Sequence, residues 1–361
     1  MTSQLPDAIR QQLADLAREL DDHSHGRIAS EVLSTLVAIS QSNADSGDWE
    51  LINGTLADMA EALDVFQPHR QIRKVAIFGS ARTPENDPVY ALAMDIAAQA
   101  VDCGFEVMTG AGPGVMEAAN RGAGAGQSFG LNVQLPFEQS ANPYIDGDEK
   151  LLTFRHFHTR KLFFLRETDA IVVMPGGFGT LDELFEGLTL IQTSKNPPVT
   201  IVLLCPQGDD YWERWHSYVD RALLDRGLIS AEDNGLYTTA STAGEALHQI
   251  QDFYRVFHAS RFRGEHLQLL LHCELPTSEL HEINARFKDL LLGGTITSLL
   301  CQDESGRSRH CLEFWFDQTK VGRLYALIQY LNNLPLPAIG QQDPPLHSLG
   351  QAARLGLLIT G

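Results

Sequence analysis

The stretch "DAIVVMPGGFGTLDELFE", Asp169 to Glu186, joins two textures. A β-branched apolar run, Ala170 to Val173, ends in glycines, and a helical pattern opens at Thr180. A strand handing over to a helix through glycines is the repeating unit of a parallel α/β sheet. The glycines also leave backbone N–H groups at the positive end of a helix dipole, where an anion binds. Three carboxylates follow within two turns: Asp182, Glu183 and Glu186. Asp182 reads as a favourable neighbour of the helix N-terminus, worth ~0.3–1 kcal/mol. Glu183 and Glu186 stand at i, i+3 and share a face. If that face looks into the crevice, a carboxylate lies a few ångströms from the phosphate position, a gap that a ribose spans. A carboxylate beside a ribose can bind its hydroxyls, stabilise an oxocarbenium-like centre or activate a water.

The same alternation extends in both directions. "KVAIFGSAR" reads as a strand ending in Gly-Ser, and "PVYALAMDIAAQAVDCG" as a helix closed by Gly104. "FEVMTG" and "SFGLNVQLP" read as strands two and three, with "AGPGVMEAANRGAGAG" as loop and helix between them. "HTRKLFFLRET" is helical, "DAIVVMPGG" is the fourth strand, and "PVTIVLLC" is the fifth. The helix "YWERWHSYVDRALLDRG" follows. Near-continuous apolar strands predict a Rossmann-like, doubly wound parallel sheet covered on both faces.

The flanks differ from this middle part. Residues 1–70 carry three apolar stripes of helical period, Leu13/Leu16/Leu20, Ile28/Val32/Leu36/Ile39 and Leu51/Leu56/Met59/Leu63, expected to form a helical cap or a dimerisation arm. Residues 71–258 are expected to form this Rossmann-like domain, with a ligand crevice at its strand ends. Residues 262–361 read β-α-β-β-α, a small α+β domain of the kind used for regulation or pairing, with a Pro-rich loop at "LPLPAIGQQDPP".

Three strand ends carry glycine or polar turns: Gly79-Ser80-Ala81-Arg82, Thr109 to Gly114, and Pro175 to Thr180. One such turn can be geometry alone; three in one α/β unit point to a phosphate-bearing ligand. The loop after the second strand is not GxGxxG, because Val115 follows Gly114, which disfavours a dinucleotide. No GxxxxGK[ST] string exists, which disfavours triphosphate hydrolysis.

The chain of 361 residues has a formal net charge of −19, which opposes binding to nucleic acid or to an anionic membrane surface. No apolar run reaches the ~18 residues of a membrane span. The start of the chain lacks the apolar core of a signal peptide. Its five scattered cysteines include no CxxC pair and read as reduced thiols in a cytoplasmic protein. His156 and His158 alternate and could hold zinc, but no third ligand is evident and no motif demands a metal or cofactor.

"PGGFGTLDE" matches the PGGxGTxxE signature of the LOG family, phosphoribohydrolases that release the base from a nucleoside 5′-monophosphate. "FHTRKLFFL" resembles the family's Arg-Lys helix, "TGAGPGVMEAANRGA" its Gly-rich loop, and "FGSAR" its first phosphate-facing turn. The resemblance spans roughly residues 70–255. Ala111 departs from it, standing where many relatives carry a third consecutive glycine.

The resemblance implies that Glu183 is the catalytic carboxylate at the ribose and that Arg160 stabilises the departing base. Gly79, Ser80, Gly176, Gly177, Gly179 and Thr180 would hold the 5′-phosphate. Gly112, Gly114 and Met116 would shape the pocket, and Lys161 would add a substrate contact. Without the resemblance, Arg160 reads as well as a surface ion pair with Glu167, and Met116 as core. AMP or a cytokinin nucleotide is the implied substrate, with a nucleotide effector acting through the flanks. A homodimer or higher homo-oligomer, to which "LTLIQT" would contribute, is the implied assembly. The alternative is a non-catalytic nucleotide sensor or carrier on the same fold.

Overall fold

The computed structural model describes residues 25–135, 140–303 and 305–336, with isolated helical positions between 11 and 18. It resolves into two compact units, residues 1–57 and 58–361. The first unit contains helix α1 (Gly26–Ser40) and the opening turns of α2 (Ser46–Phe66). Ile28, Val32, Leu51 and Leu56, expected to bury one face, are exposed. Leu13 and Leu20 lie outside the described residues, as does the Pro-rich segment beyond Leu336.

The second unit is built on a seven-stranded, all-parallel sheet ordered β4-β3-β2-β1-β5-β6-β7. The strands are β1 (Lys74–Phe78), β2 (Glu106–Thr109), β3 (Ser128–Val133), β4 (Leu151–Phe154), β5 (Ala170–Val173), β6 (Thr200–Leu204) and β7 (Thr238–Ala240). The helices are α3 (Pro88–Asp102), α4 (Val115–Ala123), α5 (Phe157–Glu167), α6 (Phe178–Gln192), α7 (Tyr211–Tyr218) and α8 (Ala243–Phe253).

Every residue of β1, β5 and β6 is buried, as a sheet with both faces covered requires. Alternate side chains serve opposite cores. Ala76, Phe78, Ile171, Val173, Ile201 and Leu203 enter one, while Val75, Ile77, Val172 and Leu204 enter the other.

The strand order turns at the β1/β5 pair. Connections from β1 run outward through β2, β3 and β4, and those from β5 run the other way through β6 and β7. The loops after β1 and β5 therefore part on opposite faces, and the crevice between them is where a doubly wound sheet binds ligands.

Three strands were not legible in the sequence: β4, the three-residue β7 at the sheet edge, and β8 (Phe257–Arg263). β4 is four residues long and its neighbours are polar, so it lacks the run that marks the others; "DAIVV" is thus the fifth strand in chain order. β8 carries Ser and two Arg, but Gly264, at φ +62°, turns it onto β9 (His266–Leu271).

With α9 (Thr277–Arg286), β10 (Leu291–Gln302), β11 (Ser308–Phe316) and α10 (Val321–Asn333), these strands complete the C-terminal region. Its antiparallel sheet runs β10-β11-β9-β8. Leu267, Leu269, Phe314, Leu327 and Leu331 join the same apolar core as Phe163 and Ile201. The Tyr325 hydroxyl donates to the Val199 carbonyl (2.6 Å) and accepts from the Val199 N–H (3.1 Å) at the entry to β6. The run "LTLIQT" is packed inward: Ile191 is buried, and Leu188 and Leu190 lie against the same core.

Among the described residues no helix is long and apolar enough to cross a membrane.

Candidate active site

Three loops at the carboxyl ends of β1, β2 and β5 meet around a cleft of about 830 Å³. Backbone bonds lock them together. Ser80 N–H donates to the Pro175 carbonyl (3.2 Å), Val115 N–H to the Ser80 carbonyl (3.1 Å), and Met174 N–H to the Phe78 carbonyl (2.8 Å). The Tyr211 hydroxyl fixes the third loop by donating to the Gly176 carbonyl (2.6 Å).

Gly79, Ser80, Gly176, Gly177, Gly179 and Thr180 all line the cleft, as the sequence leads one to expect. They surround the start of α6, whose N-cap is Gly177 and whose first turn receives no hydrogen bond from a capping side chain. The first N–H groups of an uncapped helix lack intrahelical acceptors and point out along the positive end of the dipole. That makes an anion site.

Gly112 and Gly114 do not line the cleft; they build the wall behind it. The Asn142 side-chain amide donates to the carbonyls of Ala111 and Gly112 (both 3.1 Å). Ala111 adopts φ 60°, so the departure from glycine is accommodated in the left-handed region at about 1–2 kcal/mol, with its carbonyl held by Asn142. Gly114 has φ +69° and ψ −128° at the N-cap of α4, and a Cβ there would run into the Ser80 carbonyl and come within 2.8 Å of the Ala81 carbonyl carbon. Backbone cannot step aside as a side chain can. Gly114→Ala is therefore expected to cost about 2–4 kcal/mol, from left-handed strain plus overpacking, read as a lowered urea midpoint.

The charged half of the cleft comes from α5 and α6. Glu183 is buried, with Oε1 3.5 Å from an Arg160 terminal nitrogen and Oε2 3.7 Å from Lys161 Nζ. Arg160 also reaches the Leu131 carbonyl (3.4 Å) and lies over the rings of Phe157 and Phe164. It is paired with Glu183 rather than with Glu167, which meets Arg166 instead. Glu183 Oε2 and Arg160 Nε are both buried without a hydrogen-bond partner among the described residues. Buried polar atoms left unpaired are uncommon and point to a ligand that completes them.

Burial pushes the Glu183 carboxyl above its ordinary pKa, with Lys161 and then Arg160 pulling the other way. Burial lowers the Arg160 pKa, opposed by Glu183 and Asp182; a guanidinium keeps its charge at neutral pH regardless. Lys161 lies off the cleft wall, and burial works against its charge. Hydrogen bonds to Asp182 and Glu186 (2.8 and 2.5 Å) and the charge of Glu183 outweigh that and leave its pKa raised. The three acidic residues of the opening stretch thus share one lysine.

Met116 lines the cleft, its sulfur packed against Gly110. Arg82, Asn132, Phe157 and Phe178 line it too and were not singled out from sequence. Arg82 stands inside the "FGSAR" motif and Asn132 near the end of β3, so strand ends were the available signal. The rings of His156 and His158 stack at 5.2 Å. Among the described residues no three His, Cys, Asp or Glu side chains are grouped to hold a metal ion.

Residues 116–250 match the family model described as "Possible lysine decarboxylase". A "Probable cytokinin riboside 5′-monophosphate phosphoribohydrolase" of Oryza sativa subsp. japonica is 27% identical over 187 residues, covering 50% of this chain and 77% of that protein. A cytokinin riboside 5′-monophosphate phosphoribohydrolase of Arabidopsis thaliana is 24% identical over 187 residues, 51% of this chain and 84% of that protein. Among solved structures, the molybdenum cofactor carrier protein of Chlamydomonas reinhardtii aligns with 50% of this chain and 97% of its own, at 21% identity and a TM-score of 0.35. Over about half of its length, the chain is similar to the LOG family of phosphoribohydrolases.

Proposed function

We propose that the protein hydrolyses the N-glycosidic bond of a nucleoside 5′-monophosphate, releasing free base and ribose 5-phosphate. The observation that carries this reading is the buried Arg160–Glu183 pair, each with an unsatisfied polar atom, beside the uncapped start of α6. The names of the Oryza and Arabidopsis relatives support it.

In this reading the N–H groups of Gly179 and Thr180, with the turn at Gly79-Ser80, hold the 5′-phosphate. Glu183 stands about one helical turn inside, the span of a pentose. Its carboxylate accepts hydrogen bonds from the ribose hydroxyls and stabilises positive charge developing at C1′. The C1′–N bond breaks and its electron pair leaves on the base, where the Arg160 guanidinium stabilises it. Water adds to C1′ and its proton ends on the base nitrogen. Phe157 and Phe164 line the cleft and offer ring faces against which a planar base would stack.

The direct test is incubation with AMP, isopentenyladenosine monophosphate and pyrimidine nucleotides, with free base followed by chromatography. Release of base from at least one is expected. Binding without release from the whole panel would replace the enzyme by a nucleotide carrier.

The turnover form has Glu183 ionised, so activity is lost as pH falls through its pKa. Lys161 is the largest influence holding that pKa down. Lys161→Met should therefore move the acid limb of the kcat/KM profile to higher pH, since removing the cation raises the Glu183 pKa further. An unmoved limb would remove Lys161 from the mechanism.

A further inference from the structure

Helix α5 carries Arg160, Lys161 and the aromatic wall, yet its N-cap, His156, supplies no capping side chain. The acceptor comes from elsewhere in the chain. Asp58 of α2 is buried, with its side chain fully enclosed. Its carboxylate accepts from the N–H of Arg155 (3.1 and 3.0 Å) and of His156 (3.2 Å), the two residues that lead into α5. It also accepts the Thr159 hydroxyl in the first turn (2.7 Å) and the Arg155 guanidinium (2.8 Å). Few carboxylates are held from so many directions, and a negative charge at this end also suits the helix dipole.

We propose that Asp58 is a positioning residue for the cleft: it fixes the entry and the axial setting of α5, and through them the place of the Arg160 guanidinium against Glu183. Asp58 lies outside the stretch that matches the family model, residues 116–250. None of its hydrogen-bond partners lines the cleft. Its reach is therefore confined to the α5 half of the site, and the phosphate turn at α6 does not depend on it. The proposal rests on the reading of the site as a nucleotide-binding one.

The experiment uses the full chain with Asp58→Ala, Asp58→Asn, Thr159→Val, Thr159→Ser and Arg155→Ala, each checked for folding by circular dichroism. Hydrogen exchange read on peptides spanning 155–165 should quicken in Asp58→Ala. kcat for base release should fall about 10–100-fold, the cost of a misplacement of roughly 1 Å, while affinity for ribose 5-phosphate stays within about twofold. Thr159→Ser should restore what Thr159→Val loses. Arg155→Ala keeps the backbone donors and removes only the half-exposed guanidinium, so it should behave as wild type. If Asp58→Ala does not fold, Asp58→Asn and Thr159→Val carry the same comparison at smaller amplitude.

Faster exchange with unchanged kcat would overturn the proposal, and so would equal losses in kcat and ribose 5-phosphate affinity. If the wild type releases no base from any nucleotide, the activity reading fails by itself. AMP affinity then decides: a loss of AMP but not of ribose 5-phosphate binding supports the positioning role, and no loss of either overturns it.

Discussion

Replacing Glu183 by glutamine is expected to lower kcat by about 10³-fold, some 4 kcal/mol in barrier height, while AMP still binds. The amide keeps the size and the hydrogen-bonding reach of the side chain but not the charge that faces the developing cation at C1′. In the proposed reading the phosphate is held by backbone N–H groups at the start of α6, which this change leaves untouched. Loss of turnover with retained binding in calorimetry is the expected pattern. The fold should not suffer. Burial raises the folded-state pKa of this carboxyl above its unfolded value, so wherever the pH exceeds both, its ionised form costs stability. A Glu183→Gln protein that turns over as wild type does would end the assignment.

Arg160→Ala is the second large effect, a fall in kcat of about 10²–10³-fold. Arg160 is the only cation, among the described residues, that both contacts Glu183 and lines the aromatic wall. Removing it leaves the departing base without its stabilising charge and leaves Glu183 with Lys161 alone among its cationic partners. Both changes act in the transition state more than on the bound nucleotide, so KM should move far less than kcat. A variant whose KM rises while kcat holds would place Arg160 in ground-state binding instead.

Much of the cleft was legible because its parts are local. A glycine turn between an apolar run and a helix states its own geometry, and three such turns could be aligned at one end of a parallel sheet. Glu183 was legible because the length of a helical turn fixes its distance from the phosphate turn. The sequence could not give the bearing of Lys161. It sits next to Arg160, but adjacent residues on a helix point about 100° apart, and only the packing of α5 on α6 shows that it meets carboxylates instead of the cleft. Asp58 was illegible for a related reason: its partners, Arg155 to Thr159, lie about a hundred residues away, and no period or spacing carries that information. The short β4 and the polar β8 escaped because their stability is borrowed from neighbouring strands rather than written in their own side chains.

The hydroxyl of Tyr325 has a consequence for how this chain can be cut or recombined. It occupies the donor and the acceptor of Val199, at the doorstep of β6, the strand beside the edge strand β7 of the parallel sheet. A severed C-terminal region would open that peptide unit to water and expose the apolar core that Leu327 and Leu331 now cover. The family-matched stretch is thus not a transplantable cassette. In this protein the family-matched stretch and the C-terminal region stand or fall as one compact unit.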